Sequence, residues 1–288
     1  MGSRATAERF RSLAHLGGDC ILSMHITSRD NSLLRQVRAV RDGKIEELIF
    51  IEGLRLCEEA HRSNLEIEAV VVSEELWRKE RAAQAIDQLA KVSKRVASVS
   101  EKLLESVSYT KTPQGIIVLA RRPESSEARL AESVGANPLV VVLHQINNPV
   151  NVGAILRTSE AAGATGVITT RNTSDPFSPK SLRGAMGSAF RLPIWSGPAY
   201  SEVIDWCRGQ DIVTVCADVE STVAYTSLAW TKPTALILGP ESTGFTPEEL
   251  SEADQKVSIP MQGNAESLNV SVAAGILLFE AARQRTSA

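Results

Sequence analysis

The chain has 288 residues, enough for two ordinary domains, and 43% hydrophobic with 23% charged residues is the composition of a globular protein, not of a disordered or fibrous one. No apolar run approaches the roughly 20 residues that a membrane-spanning helix needs, and residues 1–19 lack the long apolar centre of a secretory signal, so no membrane partner and a cytoplasmic location are expected. A net charge of −3 excludes a uniformly basic nucleic-acid binder, but the balance is uneven: residues 1–122 hold 20 Lys and Arg against 17 Asp and Glu, and the remainder holds 11 against 17.

Taken in order, residues 5–16 have the spacing of a short amphipathic helix closed by Gly17 and Gly18. The basic stretch Arg29 to Lys44 reads as a helix capped by Ser28 or Asp30, with Leu33, Leu34, Val37 and Val40 facing inward. Strands are expected at Leu48–Ile51, Ile67–Val72, Val96–Val99 and Gly115–Ala120, alternating with helices at Leu54–His61, Glu74–Lys91 and Glu101–Ser106. Arg121 to Pro138 reads as a linker, with helical character at Ala128–Val134. The expected divisions are an N-terminal helical extension at 1–25, a small α/β domain at 26–122, a linker at 123–137 and a second domain at 138–288. Cys20, Cys57, Cys207 and Cys216 form no CxxC pair and no cluster with His, so buried thiols and no metal site are expected.

The second domain opens with Leu139–Leu143, a continuous apolar run typical of a central parallel strand. Similar strands are expected at Gly166–Thr169, Leu192–Trp195, Ile212–Cys216, Ala235–Leu238 and Lys256–Ile259, and a last helix at Leu268–Arg285. Ligands of such sheets bind beyond the carboxyl ends of the strands, so the loops there are informative. After the first strand, Asn148-Pro149 turns into a helix of small apolar residues that Gly163 ends, interrupted by Asn151 and Arg157. Asn151 reads either as a cap or as a site residue, and Arg157 either as a solvated side chain or as a catalytic one. After the fifth strand, Gly239-Pro240-Glu241 places a carboxylate at the ligand edge, and Gly239 leaves room for a ligand. After the sixth, Ser267 or Asn269 sits at a helix start, with Ser271, Ala274 and Gly275 packing closely. No GxGxxG follows the first strand, which argues against a Rossmann-type dehydrogenase or methyltransferase.

These segments resemble the SpoU (TrmH) family of RNA 2′-O-ribose methyltransferases, in the SPOUT superfamily. Asn151, Gly153 and Arg157 match its N-x-G-x-x-x-R pattern, Gly239, Glu241 and Gly244 its G-x-E-x-x-G pattern, and Ser267 to Ala274 its S-L-N-V-S-V-A-A run. Residues 26–122 more loosely resemble the RNA substrate-binding domain often joined to it, which looks like small ribosomal RNA-binding proteins, through Ile51-Glu52-Gly53 and Thr112-Pro113-Gln114-Gly115. The resemblance implies an α/β SPOUT domain with a parallel sheet and a deep trefoil knot, a homodimer through that domain, and S-adenosylmethionine as cofactor. It implies that backbone near Leu238, Gly239, Ile259, Met261, Leu268 and Asn269 holds the cofactor. Glu241 and Asn269, with Ser267 and Asn151, fix the geometry, and Arg157 stands at the nucleophile. A guanidinium has a pKa above about 12, so Arg157 is either a base in a desolvated site or a phosphate-binding stabiliser of the developing alkoxide. The expected RNA footprint is Arg29, Arg35, Arg38, Arg41 and Lys44 on the first helix, and Arg171, Lys180, Arg183 and Arg191 near the second domain's ligand edge. The RNA is expected to be large-subunit ribosomal RNA, with tRNA as the alternative. A knotted RNA-binding protein without catalysis is the other alternative.

Overall fold

The computed structural model describes residues 22–286. The helix expected at 5–16 and Cys20 lie outside them. The chain forms two units, the first made of the chain up to Pro123 together with Phe177–Phe190, the second of Glu124–Pro176 and the chain from Arg191 onward.

The first unit contains β1 (Leu22–Ile26), α1 (Ser32–Arg41), β2 (Leu48–Glu52), α2 (Leu54–Arg62), β3 (Ile67–Ser73), α3 (Glu74–Trp77), α4 (Glu80–Val92), β4 (Arg95–Val99), α5 (Glu101–Glu105) and β5 (Ile116–Arg121). The sheet order is β1-β4-β3-β5-β2. β1, β4 and β3 are parallel, while β5 runs antiparallel to both β3 and β2. The inward side chains of α1, Leu33, Leu34, Val37 and Val40, are buried in one core with Phe50, Val71, Ala97 and Leu119.

The structure departs from the sequence reading at three places here. Leu22–His25, expected in the extension, belong to β1, which among the described residues is an edge strand paired with β4. The cap of α1 is Asn31, whose Oδ1 accepts the Leu33 N–H at 2.8 Å, not Ser28 or Asp30. The helix expected at 74–91 is two helices, because the backbone turns extended at Lys79 (φ −79°, ψ 117°) just after the buried Trp77.

Further along the chain come α6 (Glu127–Ser133), β6 (Leu139–Leu143), α7 (Pro149–Ala161), β7 (Gly166–Thr169), α8 (Pro179–Ala185), α9 (Ser188–Arg191), β8 (Ile194–Ser196), α10 (Tyr200–Gly209), β9 (Val213–Ala217), β10 (Thr234–Leu238), α11 (Pro247–Glu252), β11 (Gln255–Val257) and α12 (Val270–Thr286). The second sheet has the order β11-β9-β10-β6-β7-β8, with every neighbour parallel. β6 and β10 are buried along their whole length, as two-sided cover requires. From β6 the chain runs outward through β7 to β8, then crosses over to β9 and fills the gap with β10. The switch point therefore lies between β6 and β10.

The segment expected to be a linker is packed. α6 lies against β7 and β8, and the Leu130 side chain fills the space over Gly166 that a Cβ there would need. Cys57, Cys207 and Cys216 are buried. Burial pushes the Cys207 thiol up to about 12 and the Cys216 thiol up to about 11, so neither is a thiolate at neutral pH.

Candidate active site

Asn148 caps α7, its Oδ1 accepting the Val150 N–H at 3.0 Å, and Pro149 supplies the first helical position. The capping role weighed for Asn151 therefore belongs to Asn148. Asn151 lies in the first turn of the helix, 5% exposed, and Gly163 (φ 78°) ends the segment. The Asn151 Nδ2 donates to Glu241 Oε2 at 2.7 Å, and its Oδ1 accepts from Asn269 Nδ2 at 3.3 Å. Asn269 also caps α12, its Oδ1 accepting the Ser271 N–H at 2.9 Å. One side chain from each of the loops after β6, β10 and β11 thus meets at the switch point.

Beside this network lies a cavity of about 430 Å³, lined by Gly239, Glu241, Ile259, Met261, Ser267, Leu268 and Asn269 among others. Leu238 is not part of the lining: its side chain is buried in the sheet and its carbonyl accepts the His144 N–H at 2.9 Å. Asn151 sits behind the wall. Arg157 is exposed on α7, outside the lining, and makes no hydrogen bond or ion pair among the described residues. Gly239, which lines the cavity, also serves the packing beside it. A Cβ there would stand 2.6 Å from the Phe245 ring, so its bareness makes room for Phe245.

Sequence reasoning missed the support beneath this loop. The buried His144 places Nε2 2.9 Å from Glu249 Oε1 and Nδ1 3.1 Å from Thr170 Oγ1. Its ring lies parallel to Phe245 and 4.7 Å from Tyr200. Glu249 also accepts the Thr246 N–H at 2.9 Å, which ties the loop's end to α11. Asp218 and Val219, after β9, line the cavity without any motif to mark them.

The residues of the expected RNA footprint differ in their surroundings. Arg38 donates to the Arg29 carbonyl at 2.8 Å, and Arg41 to Asp42 at 2.8 Å and to the Ser108 carbonyl at 3.2 Å. Arg35 and Lys44 are exposed. Arg171 pairs with Glu202 at 3.3 Å and Arg191 with Glu160 at 2.8 Å, both in the second unit. Lys180 and Arg183 lie on α8, which belongs to the first unit.

Comparison with known proteins decides what kind of site this is. The SpoU rRNA Methylase family matches residues 138–279, and the MRM3-like substrate binding domain matches residues 33–118. A 23S rRNA (uridine(2479)-2′-O)-methyltransferase from Streptomyces viridochromogenes is 33% identical over 200 residues, 68% of this chain and 69% of that one. The chain belongs to the SpoU rRNA methylase family. A second family member, the 23S rRNA (guanosine-2′-O-)-methyltransferase RlmB of Haemophilus influenzae, is 33% identical over 71% of this chain and 85% of its own. The AdoMet-bound rRNA methyltransferase structure from Sinorhizobium meliloti superposes with a TM-score of 0.80 at 29% identity, over 91% of this chain and 98% of that one. The SpoU match takes in all three converging loops, and the substrate-binding match takes in α1 and β2 through β5.

Proposed function

We propose that this chain transfers the methyl group of S-adenosylmethionine to the ribose 2′-hydroxyl of a nucleotide in large-subunit ribosomal RNA. The observation that carries the reading is the Asn151–Glu241–Asn269 network on the wall of the switch-point cavity. The cavity fits the donor: strand-end backbone at Gly239 and Ile259, apolar Leu268 and Val219, and polar Asp218, Ser267 and Asn269 suit a ligand with an adenine at one end and an amino acid at the other. When bound, the donor supplies a methyl carbon activated by a sulfonium. Ribosomal RNA is favoured over tRNA because the relatives just described are named for 23S rRNA.

What remains for the protein is the nucleophile, a hydroxyl that is a poor acid at neutral pH. Asn151 holds Glu241, and Asn269 holds Asn151, so the loops keep one geometry around the reacting atoms. Arg157, exposed on α7, meets the ribose only when RNA or a second subunit covers it. Its guanidinium acts there as a cation that binds the neighbouring phosphate and stabilises the developing alkoxide, while the hydroxyl proton passes to solvent water and the donor leaves as its neutral thioether. The family resemblance supports a trefoil knot in which the segment from β11 through α12 is threaded. A homodimer through the second unit is supported by Val150, Val272 and Phe279, apolar side chains exposed on the mutually packed α7 and α12.

The test is transfer of labelled methyl from S-adenosylmethionine to ribosomal RNA from cells lacking the gene, followed by mapping of the modified ribose. Arg157→Ala is expected to lose most turnover while keeping cofactor affinity. Near-wild-type turnover by Arg157→Lys would rule out a role for the guanidinium fork.

A further inference from the structure

β1, β2, β3 and β4 all end at one edge of the first unit's sheet, and β5 begins there. Two cavities open on this edge. One, of about 350 Å³, lies at the ends of β1 and β4 and is lined by His25, Thr27, Arg29, Ser100 and Lys102. The other, of about 160 Å³, lies where β2 ends and β5 begins, and is lined by Gly53, Arg55, Thr112 and Gln114 with Arg183 of the same unit.

Between α5 and β5, on the same edge, the loop at 109–115 carries Tyr109, 45% exposed, and the exposed Lys111. Among the described residues of this unit, Tyr109 is the one exposed aromatic side chain, whereas Phe50, Trp77, Phe177 and Phe190 are buried. The loop is held from beneath by the buried Glu52, whose carboxylate accepts the Tyr109 N–H at 2.9 Å, the Thr110 N–H at 3.2 Å and the Thr110 hydroxyl at 2.5 Å. Gly115 has φ +85°, and a Cβ there would stand 2.8 Å from the Leu76 Cβ, so the loop's exit is fixed as well.

The charges favour a polyanion. Arg29, Arg55, Lys102, Lys111 and Arg183 stand on or beside these loops. Of the carboxylates there, Glu52 is committed to the loop, Glu74 lies 3.6 Å from both His25 and Arg78, and Glu75 lies 3.4 Å from Lys79. That leaves Asp30 and Glu101 against five cations. α1, by contrast, ties Arg38 and Arg41 to neighbouring backbone.

We propose that this edge, not the face of α1, seats an unpaired stretch of the RNA substrate, with Tyr109 stacking a base and Arg55, Lys102 and Lys111 neutralising phosphates. The proposal rests on the RNA reading given above. Cavities flanking an exposed ring suit splayed bases, which a duplex keeps stacked inside.

The test is fluorescence anisotropy of the full chain with a short labelled single-stranded RNA of mixed sequence, and with the same RNA annealed to its complement. The single strand is expected to bind more tightly. Tyr109→Leu should weaken it about tenfold and Tyr109→Trp should restore it, as a stacking role requires. Arg55→Gln combined with Lys102→Gln should reduce the slope of log K against log salt by about 1.4, for two contacts on a single strand. Tighter duplex binding, or wild-type affinity in Tyr109→Leu, overturns the proposal. The same proteins are assayed for methyl transfer to ribosomal RNA. Methyl transfer by wild type with no binding defect in Tyr109→Leu sinks the edge alone. A Tyr109→Leu binding defect without any methyl transfer sinks the enzymatic reading and leaves the edge standing.

Discussion

Removing the Asn151 amide asks whether the loops hold one another or are held by backbone alone. Asn151→Ala deletes a 2.7 Å bond to a carboxylate and a 3.3 Å bond from Asn269. A hydrogen bond to a charged group contributes about 1.5–3 kcal/mol. Glu241 is exposed, so solvent screening brings the expected coupling between Asn151 and Glu241 to about 1–2 kcal/mol. The longer Asn269 bond adds about 0.5 kcal/mol to the single substitution. The assay is a double-mutant cycle of Asn151→Ala and Glu241→Ala, read by urea unfolding and by calorimetric titration with S-adenosylmethionine. If the same coupling reaches the cavity, it corresponds to a roughly 5–30-fold change in cofactor Kd. Asn148→Ala with Glu241→Ala is the control, because Asn148 only caps α7 and shares no partner with Glu241. Additivity of the Asn151–Glu241 pair within about 0.3–0.5 kcal/mol would refute the reasoning.

Gly239→Ala drives a methyl into the Phe245 ring, so a destabilisation of about 1–3 kcal/mol and weaker cofactor binding are expected. Adding Phe245→Ala should recover part of the binding, and an unperturbed Gly239→Ala would show the contact to be soft. Arg285 donates to four carbonyls, of Trp230, Asn137, Pro138 and Lys232, at 2.6–3.0 Å, and its burial lowers its pKa. Arg285→Met leaves those acceptors bare and should cost about 2–4 kcal/mol in urea unfolding, and a loss below about 0.5 kcal/mol would contradict this. Phe279→Glu places a charge on the apolar face of α12 and should shift light-scattering mass from dimer to monomer without lowering the unfolding temperature. A dimer retained by Phe279→Glu would exclude that face as the contact.

The second sheet was legible in the sequence because a strand buried on both faces must be a continuous apolar run, as Leu139–Leu143 and residues 235–238 are. The loops that meet beside the cavity were legible as three ordered motifs. Their hydrogen bonds were not, since Asn151 and Glu241 are 90 residues apart and only the fold brings them together. β1 was missed although Leu22, Met24 and Ile26 alternate with Ser23 and His25, because five residues are too short a run for a period of two to stand out from the extension before them. The ion pairs that engage Arg171 and Arg191 span 31 residues each, beyond what helix spacing reveals. Asp218, Val219 and His144 carry no pattern, and only their place at strand ends marks them.

Residues 177–190 lie in sequence between β7 and β8 of the second sheet, yet they pack with the first unit, where α8 rests on β2 and the Arg122 guanidinium sits 4.7 Å over the Phe177 ring. The backbone therefore passes from one unit to the other three times, at 123/124, 176/177 and 190/191. No single cut yields the two as intact fragments. A piece ending at Pro123 forfeits the cover that Phe177, Leu182 and Ala185 provide, and a piece starting at Glu124 carries those same greasy side chains with nothing to bury them. The two units are thus inseparable by truncation, and a domain exchange in this chain has to carry the excursion along with the front unit it completes.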